Sequence, residues 1–131
     1  INFKLDDEEV FEYEDRFQYC CYRWATDTFP ELREWSLFSY PAGGKRSHAT
    51  ASTMKSTGQK AGLPDLFFVL SKSHIFFIEL KVKNQKPKPK QVECHEYLRF
   101  MGFRVYVVDN PREFKRIVTE EITNFRAHGK V

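Results

Sequence analysis

The 131-residue chain has no long apolar run. Its longest, Leu66–Leu70 and Ile75–Ile78, fall far short of the roughly 20 residues a membrane-spanning helix needs, which argues against a membrane protein. Cysteine is scarce. Cys20 and Cys21 are neighbours and Cys94 stands alone, so neither a disulfide framework nor a CxxC metal site can be built, and reduced thiols in an intracellular compartment, cytoplasmic or nuclear, are expected. The four histidines, His48, His74, His95 and His128, are scattered rather than paired at zinc-ligand spacing. The N-terminus is acidic and does not read as a secretory leader.

Aromatics, by contrast, are plentiful: 16% of the chain, with 13 Phe. That is enough apolar material for one core in a single domain over residues 1–131 and argues against disorder. The net charge of +3 conceals an asymmetry. Residues 1–15 hold seven acids and one Lys, leaving 20 basic and 11 acidic groups on the other 116, a net of +9. A basic body suits a polyanionic partner such as nucleic acid, although a solvated basic surface has the same composition.

Periodicity predicts a helix over Asp6–Asp27, with Val10, Phe17, Cys21 and Trp24 as its apolar stripe and acids in its first turns. A strand is predicted over Leu32–Tyr40. Pro41-Ala-Gly-Gly-Lys-Arg46 follows as a loop, then a short helix from Ser47 to Thr57, ended by Gly58. Asp65–Leu70 and His74–Val82 read as a hairpin of buried strands. Lys83-Asn-Gln-Lys-Pro-Lys-Pro-Lys90 is a basic, extended loop. A helix over Lys90–Met101 stops at Gly102, Phe103–Val108 is a strand, and Asn110-Pro-Arg-Glu113 opens a last helix to about Phe125. The order α-β-α-β-β-α-β-α implies an α/β layered domain.

The hairpin carries the chemistry. Asp65 starts one strand and Glu79 lies near the end of the next, so antiparallel pairing sets them side by side. Glu79 and Lys81, two apart, leave the strand on one face. Two carboxylates and an ammonium then converge among apolar residues, where charges must pair or bind an ion. A buried ion pair would satisfy that demand, and so would a hydrolytic metal site in which magnesium, held by oxygen ligands at ~2.0–2.1 Å, serves a phosphodiester. Glu14 lies within the stripe of the first helix and is either a third ligand or a first-turn acid; Glu12 could take its place. Gln91 shares a helical face with His95 and Leu98 and could hold water, a phosphate oxygen or a ligand carboxylate. His95 itself reads as a structural or surface residue. Lys83, Lys86, Lys88 and Lys90, together with Lys45, Arg46, Lys55 and Lys60, look like phosphate-binding loops or like ordinary solvated ones.

As an ordered set these residues resemble the VRR-Nuc family, the virus-type replication-repair nucleases of the PD-(D/E)XK superfamily. The resemblance rests on Glu14-Asp-Arg-Phe-Gln18, Pro30-Glu-Leu, Pro41-Ala-Gly-Gly-Lys-Arg46, Lys55-Ser-Thr-Gly58, Lys60-Ala-Gly-Leu-Pro-Asp65, Ile78-Glu-Leu-Lys81, Gln91 and Gly102-Phe-Arg-Val. It implies a restriction-endonuclease-like core, a mixed central sheet flanked by helices. It further implies Mg²⁺ or Mn²⁺ bound by Glu14, Asp65 and Glu79, with Asp65, Glu79, Lys81 and Gln91 as the catalytic set. The activity implied is endonucleolytic hydrolysis of DNA, selective for branched structures such as Holliday junctions, by a homodimer. Virus-encoded or nucleoid-associated settings fit such an enzyme. Ala42 and Lys88 depart from the family's common Asn and Ser. Two other readings are a sequence-reading restriction-like nuclease, for which 131 residues leave little room, and a catalytically silent DNA-binding module with a nuclease-like fold, against which the intact Asp65, Glu79 and Lys81 argue.

Overall fold

The two apolar runs, parted by Ser71-Lys72-Ser73-His74, fold back on each other as a tight hairpin that turns at Lys72 and Ser73, the centre of a four-stranded sheet. In the computed structural model, which describes residues 3–40, 52, 53 and 55–129, β1 (Leu37–Phe38), β2 (Leu66–Ser71), β3 (His74–Leu80) and β4 (Arg104–Val108) lie in the order β1-β2-β3-β4. The first two pairings are antiparallel and β3–β4 is parallel. A parallel neighbour needs a crossover, and α2 (Pro89–Phe100) supplies it. Leu66 pairs with Ile78 and Phe68 with Phe76; an irregularity between Val69 and Ser71 absorbs one extra residue of β2 before the turn.

Alternation along the hairpin divides its side chains between two faces. Leu66, Phe68, Phe76, Ile78 and Leu80 join the core cluster with Phe17 and Cys21 of α1 (Glu14–Thr28) and Phe114, Val118 and Ile122 of α3 (Pro111–Asn124). The other face carries an aromatic row, Phe38 to Phe67 (ring centroids 5.3 Å apart), Phe67 to Phe77 (5.3 Å) and Phe77 to Phe103 (5.7 Å). The architecture is thus the expected mixed sheet with helices.

The boundaries of α2, α3 and the hairpin match the sequence reading to within about two residues. Asn110 caps α3 as anticipated, its side chain accepting the Glu113 N–H at 2.9 Å. A π-helical turn, Phe125–Gly129, follows.

Two expectations fail. The first helix starts at Glu14 rather than Asp6. Two of the preceding acids find basic partners on α3 instead of a helix dipole: Asp7 meets Lys115 at 2.5 Å and Glu8 meets Arg112, and Lys115 also donates to the Leu5 carbonyl at 2.6 Å. Val10, outside the helix, is therefore exposed; the buried residues of α1 are Phe17, Cys20, Cys21 and Ala25, and Trp24 only flanks the core. The second failure is the strand over Leu32–Tyr40. Pro30–Leu32 form a 3₁₀ turn, Glu34 sits at φ 62°, and Trp35 is 86% exposed, so only Leu37 and Phe38 pair with β2. Of the short helix expected from Ser47 to Thr57, Ser52, Thr53, Lys55 and Ser56 are helical and Gly58 closes the turn at φ +93°; its other residues through Ala51, and Met54, lie outside the described residues. All three cysteines are free.

Candidate active site

Asp65 immediately precedes β2, and the Leu66–Ile78 register sets it opposite Glu79. The Leu80 N–H donates to Asp65 Oδ2 at 2.7 Å. The Lys81 N–H donates to the Val108 carbonyl at 2.8 Å, which prolongs the β3–β4 ladder by one residue. Glu79 and Lys81 then share a face, as their spacing requires. Glu79 is 0% exposed and Lys81 4%.

Burial of these charges demands partners. Lys81 Nζ lies 3.4 Å from Glu79 Oε2 and 3.8 Å from Glu14 Oε1. One oxygen each of Glu14, Asp65 and Glu79 lies within 4.8 Å of the others. Glu14, the first residue of α1, thus joins the hairpin carboxylates, while Glu12 is exposed and outside the group. One ammonium cannot neutralise three carboxylates. Burial, and after it the negative charge of Glu79, pushes the Asp65 carboxyl up to about 7; the Leu80 N–H opposes this and Glu14 adds to it.

Gln91, in the first turn of α2, is oriented by its own helix. Its Oε1 accepts the Lys88 N–H at 2.8 Å, which leaves Nε2 to donate to Glu79 Oε2 at 2.9 Å. Of the three partners foreseen for Gln91, a carboxylate is the one it meets in the structure. One turn later His95 is 2% exposed, with Nε2 3.6 Å from Glu79 Oε1. His95 does not lie at the surface, and its spacing of four from Gln91 was the signal for its placement.

The site fits a divalent cation by its chemistry. Its three donors are hard oxygens, the kind magnesium and manganese prefer. Glu79 Oε1 is buried with no hydrogen-bond partner among the described residues, an expensive state for a carboxylate oxygen. A groove of about 560 Å³ between α1 and residues 34–39 is lined by none of the three carboxylates; an ion needs converging ligands rather than a cavity.

The other predicted residues that the structure describes lie outside this cluster. Lys83, Lys86, Lys88 and Lys90 are exposed along the segment leading into α2, and Lys90 pairs with Glu93 at 3.4 Å. Lys55 and Lys60 are exposed; Lys45 and Arg46 lie outside the described residues.

A second polar constellation escaped the sequence reading. Buried Glu121 of α3 accepts from Arg104 Nε (2.5 Å) and Nη2 (2.7 Å) and from Tyr106 Oη (2.6 Å), and it pairs with His74 Nε2 (2.7 Å). His74, Arg104 and Tyr106 stand 15 to 47 positions from Glu121, so no local motif announces the group. His74 opens β3 and Glu79 nearly closes it, which puts the two groups roughly 16 Å apart along the strand.

A mixed sheet with an antiparallel hairpin, a helical crossover and an acidic group at the hairpin's open end defines a PD-(D/E)XK-like core. The sequence profile of the VRR-NUC domain matches residues 5–110, and the chain belongs to that nuclease family. A solved structure of a VRR_NUC domain protein aligns with it at a TM-score of 0.66 and 22% identity, covering 88% of this chain and 92% of that one; this likeness speaks for the fold. No curated protein matches the sequence.

Proposed function

We propose that this domain is a divalent-metal-dependent deoxyribonuclease that cuts DNA internally, with Mg²⁺ or Mn²⁺ held by Glu14, Asp65 and Glu79. The observation that carries the reading is the convergence of wholly buried Glu79 with two more carboxylates, Asp65 and Glu14, beside the single ammonium of Lys81. A purely structural ion pair would have no use for the surplus negative charge. When bound, the ion would neutralise phosphate charge and lower the pKa of a water.

The chain's own groups do the rest. Lys81 balances part of the carboxylate charge and stands where its ammonium can hold the attacking water or a phosphate oxygen. Gln91 holds one oxygen of Glu79. Lys55, Lys60, Lys83, Lys86, Lys88 and Lys90, with Lys45 and Arg46, would grip the sugar-phosphate backbone.

Branched DNA is the substrate class we propose, cut by a homodimer. Paired cuts across a four-way junction require two metal clusters at a fixed separation, which a two-fold dimer provides. Exposed Val92, Phe100 and Met101 in or beside α2, and Val107 on edge strand β4, offer apolar material for such an interface. A DNA substrate and free thiols fit an intracellular setting; no helix of the described residues is long and apolar enough to cross a membrane.

The test is cleavage of linear, flap and four-way-junction DNA with Mg²⁺, Mn²⁺ or chelator. The wild type should cut only with metal. Glu79→Ala should be inactive, and Lys81→Ala slower by about 10²–10⁴-fold. Glu79→Ala with wild-type activity would overturn the assignment. Light scattering that finds only monomer, together with junctions nicked on one strand alone, would remove the dimer and leave the nuclease.

A further inference from the structure

Gln91 and His95 stand one helical turn apart on α2 and face the two oxygens of one buried carboxylate. Gln91 Nε2 holds Glu79 Oε2 at 2.9 Å. His95 Nε2 faces Glu79 Oε1 at 3.6 Å, and neither of these atoms has a hydrogen-bond partner among the described residues. Both side chains are shut away from water, Glu79 at 0% and His95 at 2% exposure. A buried imidazole nitrogen and a buried carboxylate oxygen left unpaired at that separation are a costly arrangement, and with the proton on Nε2 a displacement of roughly 0.6–0.8 Å would bring them to normal hydrogen-bond length.

We propose that His95 is a positioning residue: its Nε2–H donates to Glu79 Oε1 and, with Gln91 on the other oxygen, locks the carboxylate in the orientation that ligates the metal. This rests on the metal site proposed above. With Oε2 alone restrained, the carboxylate plane can turn about its terminal torsion, which is broad in glutamate. With both oxygens restrained from one helix, Glu79 presents a fixed lone pair toward Asp65 and Glu14. Partners of this kind, standing behind the ligands, set metal affinity by holding the ligand still. His95 need not touch the ion or the DNA to do this.

The test is Mn²⁺ binding by titration calorimetry and Mn²⁺ paramagnetic resonance, without DNA, in the wild type, His95→Leu and His95→Gln. His95→Leu keeps the bulk and removes the donor; it should bind Mn²⁺ about 10–100-fold more weakly. His95→Gln restores an N–H near the same place and should recover most of that loss. A Leu variant that binds like the wild type, or Leu and Gln variants equally impaired, would overturn the role of His95 and leave the metal site standing. Wild-type protein that takes up no Mn²⁺ would overturn both. Should His95→Leu not fold, the ring itself gives the answer: nitrogen NMR of the wild type must find a proton on His95 Nε2, and a bare Nε2 would refute the proposal.

Discussion

The Asp65 carboxylate accepts the backbone N–H of Leu80 at 2.7 Å, so a side chain closes the open end of the β2–β3 hairpin where the ladder of backbone bonds gives out. One oxygen thereby satisfies a donor of the strand that carries Glu79. The same contact fixes Asp65 beside Glu79, and the two carboxylates repel. Hairpin closure and the proposed metal affinity thus draw on one group.

The first prediction concerns that repulsion. The Asp65 carboxyl is raised from 3.8 to about 7 by burial and by Glu79. Between those pH values the folded, metal-free chain binds a proton that the unfolded chain has released, so stability falls as pH rises through the window. The metal-free Tm should therefore decline from about pH 4 to about pH 7 on account of this group. Mn²⁺, which competes with the proton, should raise Tm more above the window than below it. Asp65→Asn keeps an oxygen for the Leu80 N–H and removes a charge. It should raise the metal-free Tm and abolish the Mn²⁺ response, as calorimetry would read directly. A variant still stabilised by Mn²⁺ to the wild-type extent would exclude Asp65 as a ligand.

A second prediction comes from the loop that delivers Asp65. Gly62 has φ +90°, and a Cβ there would lie 2.5 Å from the Lys90 carbonyl oxygen. The turn before β2 thus packs its backbone against the first turn of α2, three residues before Asp65 and next to Gln91. Gly62→Ala adds both a left-handed strain, of about 1–3 kcal/mol, and a backbone clash. It should lower the midpoint of urea unfolding and weaken Mn²⁺ binding together, because the loop and α2 must separate. Gly58→Ala, with a similar φ of +93° and nothing within 4 Å, should lower stability without touching metal affinity. Equal effects of the two on Mn²⁺ binding would show that the Gly62 contact does not set the site.

These contacts mark the boundary of what the sequence could disclose. Asp65, Glu79 and Lys81 were legible because two apolar runs and a short polar break dictate a hairpin, and a hairpin dictates who faces whom. Glu14 was less so: its exposed neighbour Glu12 offers the same chemistry, and Asp7 and Glu8, expected inside the helix that in fact begins at Glu14, instead meet Lys115 and Arg112, more than 100 positions away. The single long strand expected after Pro30 dissolved for a local reason, the left-handed turn at Glu34. Gly62 against Lys90, and Glu121 among Arg104, Tyr106 and His74, are tertiary meetings with no periodic signature. Gln91 and His95 sit between these cases, since helical spacing put them on one face but could not say what that face would meet.

Glu121 supports a third prediction. Burial opposes its charge, but hydrogen bonds from Arg104, Tyr106 and His74 outweigh burial and hold its carboxyl below the ordinary value of 4.5. A lowered folded pKa means that the stabilisation is fully present above the ordinary carboxylate range and is lost as pH falls through and below it. Glu121→Gln should therefore cost stability at neutral pH, by about 1–3 kcal/mol given that the Arg104 side chain is half exposed and screened by water. Urea titrations at neutral and acid pH should show the gap between variant and wild type closing as the acid is reached. A gap of constant size at every pH would mean that the Glu121 charge contributes nothing.

The last prediction separates holding DNA from cutting it. Lys83, Lys86 and Lys88 are exposed on the segment that runs into α2, close in sequence to Lys81 and Gln91, and Lys88 offers its backbone N–H to Gln91 while its side chain stays exposed. Lys90, on the same stretch, shares its charge with Glu93 at 3.4 Å. Each lysine on a phosphate displaces a counterion, so the logarithm of affinity falls linearly with the logarithm of salt, by about 0.9 for each contact on duplex DNA. Lys83→Ala, Lys86→Ala and Lys88→Ala should each lower that slope by about 1 and weaken binding alike for every sequence. Lys90→Ala should lower it less, because removing Lys90 also frees Glu93. None of the four should alter Mn²⁺ affinity measured without DNA. Glu79→Ala protein, expected to be inactive, allows the slopes to be read by fluorescence anisotropy with Mn²⁺ present and no cleavage. A wild-type affinity that is flat in salt would remove phosphate binding from this segment, and a lysine variant with altered Mn²⁺ binding would place that residue in the metal site instead.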